Sequence, residues 1–498
     1  MLFLRRRRLP EESGARWLAS LLCAVVAALG GCTVGPKYVR PAAEIPSTYK
    51  EAGKWKTAEP GDALLKGNWW EVFGDPELNA QERKIAVSNQ DLKAAQARFL
   101  EARAALRLTR SGLFPQVSAG TSITRERQSS NRPFASTTTA NKSTSDFVLS
   151  GDASYEADVW GRVRRTVEAS RAQAQASAAD LESVNLSLHA ELALDYFQLR
   201  GLDAEKRLLD STVSSFEKAL ELTQSRFAGG VASREDVEQA ATQLESTRAL
   251  AIDVRVQRAA FEHAIGSLTG EPASTFNLAP LPLATPPPAI PPGLPSQLLE
   301  RRPDVASAER LVVAANAQIG VAKAAYYPLI LLGITGGFES TSPATWLTGP
   351  STLWSAGASA AETAFDAGRR RAISEQARAT YDETVANYRQ TVLNAFQEVE
   401  DNLSALSILS DEAKTEDSAV AAAQRSLDQA TNRYKGGVDT YLTVITAQNA
   451  ALADQRAAVD ILTRRLTASV LLIKALGGGW NASSLPALTT AGPAPNSR

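Results

Sequence analysis

Two cysteines, Cys23 and Cys32, and two histidines, His189 and His263, are the whole supply of thiol and imidazole groups in this 498-residue chain. A disulfide framework or a Cys/His metal site needs more ligands than that. Both histidines fall in helical stretches with no Cys, His or carboxylate motif beside them. No nucleophile–base pair and no glycine-rich phosphate loop stands out, so the chain is not expected to be an enzyme or to bind a cofactor or metal. Basic and acidic residues nearly cancel, 53 against 54, which argues against a nucleic-acid partner. The group with chemistry left to do is the thiol of Cys32.

Its surroundings read as an address. Arg5 to Arg8 form a positive run, residues 17–29 are apolar, and Leu29-Gly30-Gly31-Cys32 follows. The apolar stretch is too short to span a bilayer and suits the core of a signal segment. The LGGC spacing resembles a bacterial lipobox, where the signal is cut before the cysteine and the thiol takes up lipid. The alternative is an ordinary signal peptide that happens to contain Cys32. Residues 1–31 would be removed, Cys23 with them. Thr33 rather than Asp follows the cysteine, which by the same resemblance implies sorting to the outer membrane.

The elements that follow are written twice. RFAGGVASREDV begins at Arg226 and RYKGGVDTYLTV at Arg433; DVWGRVRR holds Gly161 and FDAGRRRA holds Gly368. Phe114-Pro115 matches Tyr327-Pro328, and the LTG at Leu268 matches the LGG at Leu476. Four landmarks in one order indicate duplication of a unit far longer than a solenoid repeat. No proline occurs between Phe134 and Glu271 or between Ser351 and Leu485. Between the halves, PLPLATPPPAIPPGLP reads as an extended linker.

Inside the proline-free blocks the apolar period is helical. Leu209, Val213, Phe216, Leu220, Thr223 and Phe227 step by alternating fours and threes, as do Val420, Ala423, Leu427, Ala430 and Tyr434. After the first glycine pair, Val237, Ala240, Leu244, Thr247, Ala251 and Val254 carry a similar stripe. That spacing predicts long helices packed as coiled coils. Gly201 and the polar stretch near Ile408 are candidate interruptions. Gly229-Gly230 and Gly436-Gly437 permit the left-handed turn that ends a helix, so the twin turns are expected to be the tips of two helical hairpins at one end of the molecule.

Strands are expected at the other end. Phe147, Leu149, Ala153, Tyr155, Ala157 and Val159 are apolar or small, and, Val148 apart, the alternate set Ser150, Asp152, Ser154, Glu156 and Asp158 is polar. Val117 to Ile123 alternates more weakly, and 329–338 and 352–363 hold the matching places in the second half. Such alternation suits a membrane barrel, apolar toward lipid and polar toward a lumen, or two hairpins of a soluble domain. Four strands cannot close a membrane barrel, and an open edge in lipid leaves backbone groups unpaired. If the strands enter a membrane, several chains must share one barrel.

GCTVGPKYVRP from Gly31, GNWWEVFGDPELN from Gly67, ERRPDVASAE from Glu300, FDAGRRR from Phe365 and RYKGGVDTYLTV from Arg433 together resemble the TolC-like outer-membrane factor family, in its lipoprotein branch serving tripartite drug efflux pumps. The resemblance runs from Cys32 to about Trp480. It implies a mainly α protein with a membrane β part: a homotrimer with one 12-stranded outer-membrane β-barrel, four strands per chain, continued by a periplasmic α-helical barrel. It implies a passive exit duct, lipid-anchored at Cys32, partnered by a periplasmic adaptor, an inner-membrane RND-type transporter and outer-membrane lipid. The runner-up is the outer-membrane duct of an ABC-driven type I protein secretion system. The adaptor-docking tips would be Gly229, Gly230 and Val231 with Gly436, Gly437 and Val438. In relatives the second tip is commonly followed by Tyr-Leu-x-Val-Leu-Asp-Ala-Gln; here Leu442 is kept and Thr446 replaces the acid, with Asp439 as the nearest carboxylate. Leu442, Thr446 and Asp439 are therefore the expected periplasmic gate, the alternative being that Leu442 packs between helices. The expected organisation is 1–31 signal peptide, 32–80 anchored segment, 81–271 first repeat, 272–297 linker, 298–480 second repeat and 481–498 disordered tail. Trp69-Trp70 is expected to pack, Arg369-Arg370-Arg371 to form a strand-to-helix corner, and Gly477-Gly478-Gly479 to end the last helix.

Overall fold

The computed structural model describes residues 33–52, 67–127, 129, 131, 143–281, 283, 286–288, 290 and 295–488. Cys32, most of the loop after the first strand, part of the linker and the last ten residues of the tail lie outside the described residues.

The order is α1 (Pro76–Ser88), α2 (Gln90–Ser111), β1 (Gln116–Arg127), β2 (Ser143–Glu156), α3 (Arg162–Ala228) and α4 (Arg234–Leu268). Then come α5 (Pro295–Arg301), α6 (Pro303–Ala324), β3 (Leu329–Ser340), β4 (Thr352–Ala361), α7 (Arg369–Lys435) and α8 (Tyr441–Ala475). Duplication shows in the lengths: α3 and α7 have 67 residues each, α4 and α8 35 each, α2 and α6 22 each. Neither candidate interruption breaks its helix. Gly201 lies inside α3 because a Cβ there would fall 2.4 Å from Thr463 Oγ1 of α8. The glycine serves close helix approach rather than a break.

The chain divides into two compact units. One comprises the segment ending at Pro41, Leu100–Ala174 and Glu309–Ala386, and contains the sheet. Its strands pair antiparallel in the order β1-β2-β3-β4. The strand expected to reach Val159 ends at Glu156. Beyond it the Asp158 carboxylate accepts from the N–H groups of Val163 and Arg164 at 3.0 and 2.9 Å, capping α3 instead of continuing the ladder. The matching corner repeats the device, Asp366 accepting from the N–H groups of Gly368 and Arg370, each at 3.1 Å. The amino-terminal segment is bound to the first corner. Val34 N–H donates to Trp160 O at 3.0 Å, and a Cβ on Gly161 would lie 2.8 Å from Thr33.

The other unit holds Ala42–Phe99, Gln175–Ala308 and the chain from Asn387 onward. The stripes read from sequence are its seams. Ala240, Leu244, Thr247, Ala251 and Val254 are buried on α4, as are Ala423, Ala430 and Tyr434 on α7. Trp69, Trp70 and Phe73 form a short 3₁₀ turn and are 2%, 6% and 2% exposed, so the tryptophans pack. The turn leads into α1, whose start is capped by Asp75 with Pro76 at the first helical position. Linker residues 278–281 are strapped down: Arg258 and Arg200 donate to the Leu278 and Ala279 carbonyls, and Asp203 accepts from Leu281 N–H.

Candidate functional site

Pairing register turns four weak alternations into one surface. Ile123 faces Phe147, Leu149 faces Phe338, Ala153 faces Ile334 and Tyr155 faces Leu332; Gly336 faces Trp354 and Ile334 faces Ala356. Side chains alternate along each strand, so these positions share a single apolar face. The other face carries the row Ser118, Asp152, Thr335 and Ser355, where Thr335 Oγ1 donates to Asp152 Oδ1 at 2.7 Å. The exceptions are Val148, Leu329, Leu331 and Leu353, whose register places them on the polar side. Among the described residues, β1 and β4 each have one edge with no strand partner.

Both hairpin tips have the same backbone. Val231 N–H donates to Arg226 O at 2.8 Å and Gly230 N–H to Phe227 O at 2.9 Å. Val438 N–H donates to Arg433 O and Gly437 N–H to Tyr434 O, each at 3.0 Å. Paired bonds of this kind around a left-handed residue are the Schellman ending, and φ is +73° at Gly230 and +75° at Gly437. Gly229 and Gly436 occupy the preceding cap positions, while Val231 and Val438 stand 68% and 72% exposed.

Beyond the second tip the three expected gate positions flank the start of α8, Asp439 just before it, Leu442 in its first turn and Thr446 in its second. Leu442 is 59% exposed, so it does not pack between helices of this chain. Thr446 Oγ1 donates to Leu442 O at 2.9 Å. Asp439 accepts from Thr443 Oγ1 and Thr440 N–H, each at 2.9 Å, and pairs with Arg433 at 3.3 Å. Its carboxyl is held below the ordinary aspartate range by the Thr443 hydroxyl first, then the Thr440 N–H, with Arg433 adding to them.

Three clusters escaped sequence reading because their members are remote in the chain. His189 lacks a local ligand motif, yet its Nδ1 lies 2.6 Å from Glu82 Oε2 and its ring stacks on Trp70 at 4.3 Å. Burial pushes the Glu82 carboxyl well up and the His189 imidazole down to about 4. The same hydrogen bond joins α1 to α3. Arg302 of the RRPDV stretch, 7% exposed, reaches Asp304, Glu398 and the Ala475 carbonyl. Gly477 must be glycine because a Cβ would lie 2.0 Å from Arg301 O. Arg200, Asp203, Arg258 and Glu262 form the third cluster, holding the linker. Only the RRPDV motif gave any sequence signal. No metal-holding group of His, Cys, Asp and Glu occurs among the described residues.

A four-stranded sheet with one apolar face and two duplicated helical hairpins are the elements of a known family. The model of outer membrane efflux proteins matches residues 83–271 and 294–478, most of the chain. The chain belongs to the outer membrane efflux protein family. It is 31% identical to the pyoverdine export outer membrane protein OpmQ of Pseudomonas aeruginosa, over 91% of this chain and 95% of that protein. It is 33% identical to the toluene efflux pump outer membrane protein TtgC of Pseudomonas putida, over 93% of this chain and 96% of that one. Among solved structures, the outer-membrane channel OprN superposes with a TM-score of 0.85 at 29% identity, covering 90% of this chain and all of that one. The outer membrane efflux protein described here thus has the fold of these channels, mostly helical with a four-stranded sheet per chain. It works as an outer-membrane efflux channel.

Proposed function

We propose that three copies of this chain close one 12-stranded barrel across the outer membrane and form with their helical hairpins a periplasmic tunnel, the exit duct of a tripartite multidrug efflux pump. The observation that carries this reading is the single apolar sheet face flanked by two unpaired edges. A face of that kind is stable in lipid only if every edge finds a partner strand, which neighbouring copies supply. Relatives named for pyoverdine export and toluene efflux support a small-molecule cargo over secreted protein. The organisation proposed is an anchored segment from Cys32, repeats over 81–271 and 298–480, and the linker between them. Acylation of Cys32 adds a lipid anchor to the barrel.

In this reading the pump's work is done elsewhere, by an inner-membrane RND-type transporter coupled through a periplasmic adaptor. Gly229, Gly230 and Val231, with Gly436, Gly437 and Val438, form the docking tips. Leu442 from three chains makes an apolar constriction, with Thr446 and Asp439 one helical turn to either side. The exposure of Leu442 within one chain supports a role between chains. Single-channel recording in planar bilayers tests the scheme. Leu442→Ser raises conductance, and Thr446→Asp raises cation preference by placing three charges around a narrow, poorly screened pore. Unchanged conductance and selectivity in intact trimers would place the constriction elsewhere. Labelled palmitate is expected on the wild type and absent from Cys32→Ala.

A further inference from the structure

The two strand-to-helix corners are duplicates in sequence and backbone, but they use their arginines in opposite ways. At the first corner every arginine is paired: Arg162 with Glu156, Arg164 with Asp158, and Arg165 with Glu168 and the Pro36 carbonyl. At the second corner Arg370 alone is drawn in, pairing with Asp366 at 2.7 Å and lying over the Tyr326 ring. Arg371 reaches only Glu375, itself exposed, at helix spacing. Such a surface pair contributes little. Arg369 is exposed, and its side chain makes no hydrogen bond or ion pair.

Aromatic rings gather at the same level. Phe114 precedes β1, Trp160 follows β2, Tyr326 and Tyr327 precede β3, and Phe365 follows β4, so all four strand ends carry one. Phe114 and Phe365 are 69% and 85% exposed. Trp160 stacks on Tyr327 and its Nε1–H donates to Pro328 O at 2.9 Å. At the other end of the sheet stand Phe147, Phe338, Trp346 and Trp354. From Phe147 to Tyr155 on β2 is about 27 Å of strand at roughly 3.4 Å per residue. Tilted by about 40°, that gives roughly 20 Å of height, within a side chain's length of the ~25 Å apolar band of an outer-membrane barrel.

We infer that the second corner is a phospholipid-headgroup site: Arg369 and Arg371 contact membrane phosphates at the level of the aromatic ring formed by Trp160, Tyr326, Tyr327 and Phe365. The inference rests on the proposed membrane insertion of the sheet. Continuity of the ring with the apolar face points to lipid as the occupant, and the exposed guanidinium groups of Arg369 and Arg371 select its anionic fraction. Each cation at an anionic surface strengthens binding about fivefold.

Native mass spectrometry of the full-length protein, extracted from vesicles of phosphatidylcholine with and without phosphatidylglycerol, measures which lipid stays bound. The double variant Arg369→Gln/Arg371→Gln is expected to lose phosphatidylglycerol retention by between roughly five- and twenty-fold. Arg255→Gln, an exposed arginine on α4, and Arg369→Lys/Arg371→Lys keep it. Wild-type retention in the glutamine variant, or equal loss in the lysine variant, overturns the phosphate contact. Failure of the wild type to enter vesicles overturns the outer-membrane reading instead, so the two failures are told apart.

Discussion

Phe227 at the first tip is 46% exposed, whereas Tyr434, its counterpart at the second, is 5% exposed. The turn-closing backbone bonds match, except that Ala232 N–H also reaches Arg226 O at 3.3 Å in the first tip, and the difference in exposure follows the side chains around each ring. Tyr434 is enclosed by Tyr441, Val444, Ala430, Ala240 and Ala447, with Arg226 of the first tip lying over its ring at 4.7 Å. Arg226 also donates to the Lys435 carbonyl at 3.1 Å, while its own counterpart Arg433 reaches only Asp439. Helix starts differ too. Ser233 and Asp236 form a capping box on α4, but the Thr440 side chain makes no cap bond on α8, where Asp439 takes over by accepting from Thr440 N–H and Thr443 Oγ1. Duplication therefore fixed the path of the chain, and divergence assigned one tip to gripping and the other to being gripped.

The largest effect expected is on docking. Tryptophan at either left-handed glycine strains the turn and adds bulk at the tip. Gly230 has open space around it, whereas Gly437 has Arg226 at 4.0 Å, so Gly437→Trp should abolish drug resistance more completely than Gly230→Trp. Trimer assembly on native gels should survive both. Normal resistance with both substitutions together would remove the tips from the docking interface.

Burial separates the next pair. Tyr434→Ala should destabilise the second hairpin by about 3 kcal/mol, and Phe227→Ala by no more than ~0.5 kcal/mol, read from denaturant unfolding followed by circular dichroism. Equal costs would show that the grip of Arg226 on Tyr434 contributes nothing. Caps give a smaller contrast: Ser233→Ala should cost about 1 kcal/mol and Thr440→Ala close to nothing. Amide exchange at the first turns of α4 and α8 would register it.

Acid should loosen the second tip at Asp439. The Asp439 carboxyl has its folded pKa lowered, so its stabilisation is present above the ordinary aspartate value and is lost as pH falls below about 4. Exchange of the Thr440 and Thr443 amides should rise there and be insensitive to pH in Asp439→Asn. Ala232 stands at the matching place in the first tip.

Local signals made much of this legible before any coordinates. Helix seams need only a steady 3.5-residue stripe and tips need a glycine pair; each depends on neighbours in the chain. Strand existence was legible for the same reason, though β2 ended earlier than its alternation suggested because Asp158 is a better helix cap than strand residue. The family was legible from five motifs. Gly201 misled as a possible break because sequence cannot tell a glycine that frees the backbone from one that admits Thr463.

By itself, then, the sequence determined the duplication, the periods of helix and strand and the turns between them, since all of these are set within a few residues. Tertiary structure alone decided that four alternating strands share one apolar face, because register is a relation between strands. Only there does His189 meet Glu82 across 107 positions, and Arg302 meet the end of α8. Buried polar groups must find partners wherever the fold brings them, and no local pattern records which partner that will be.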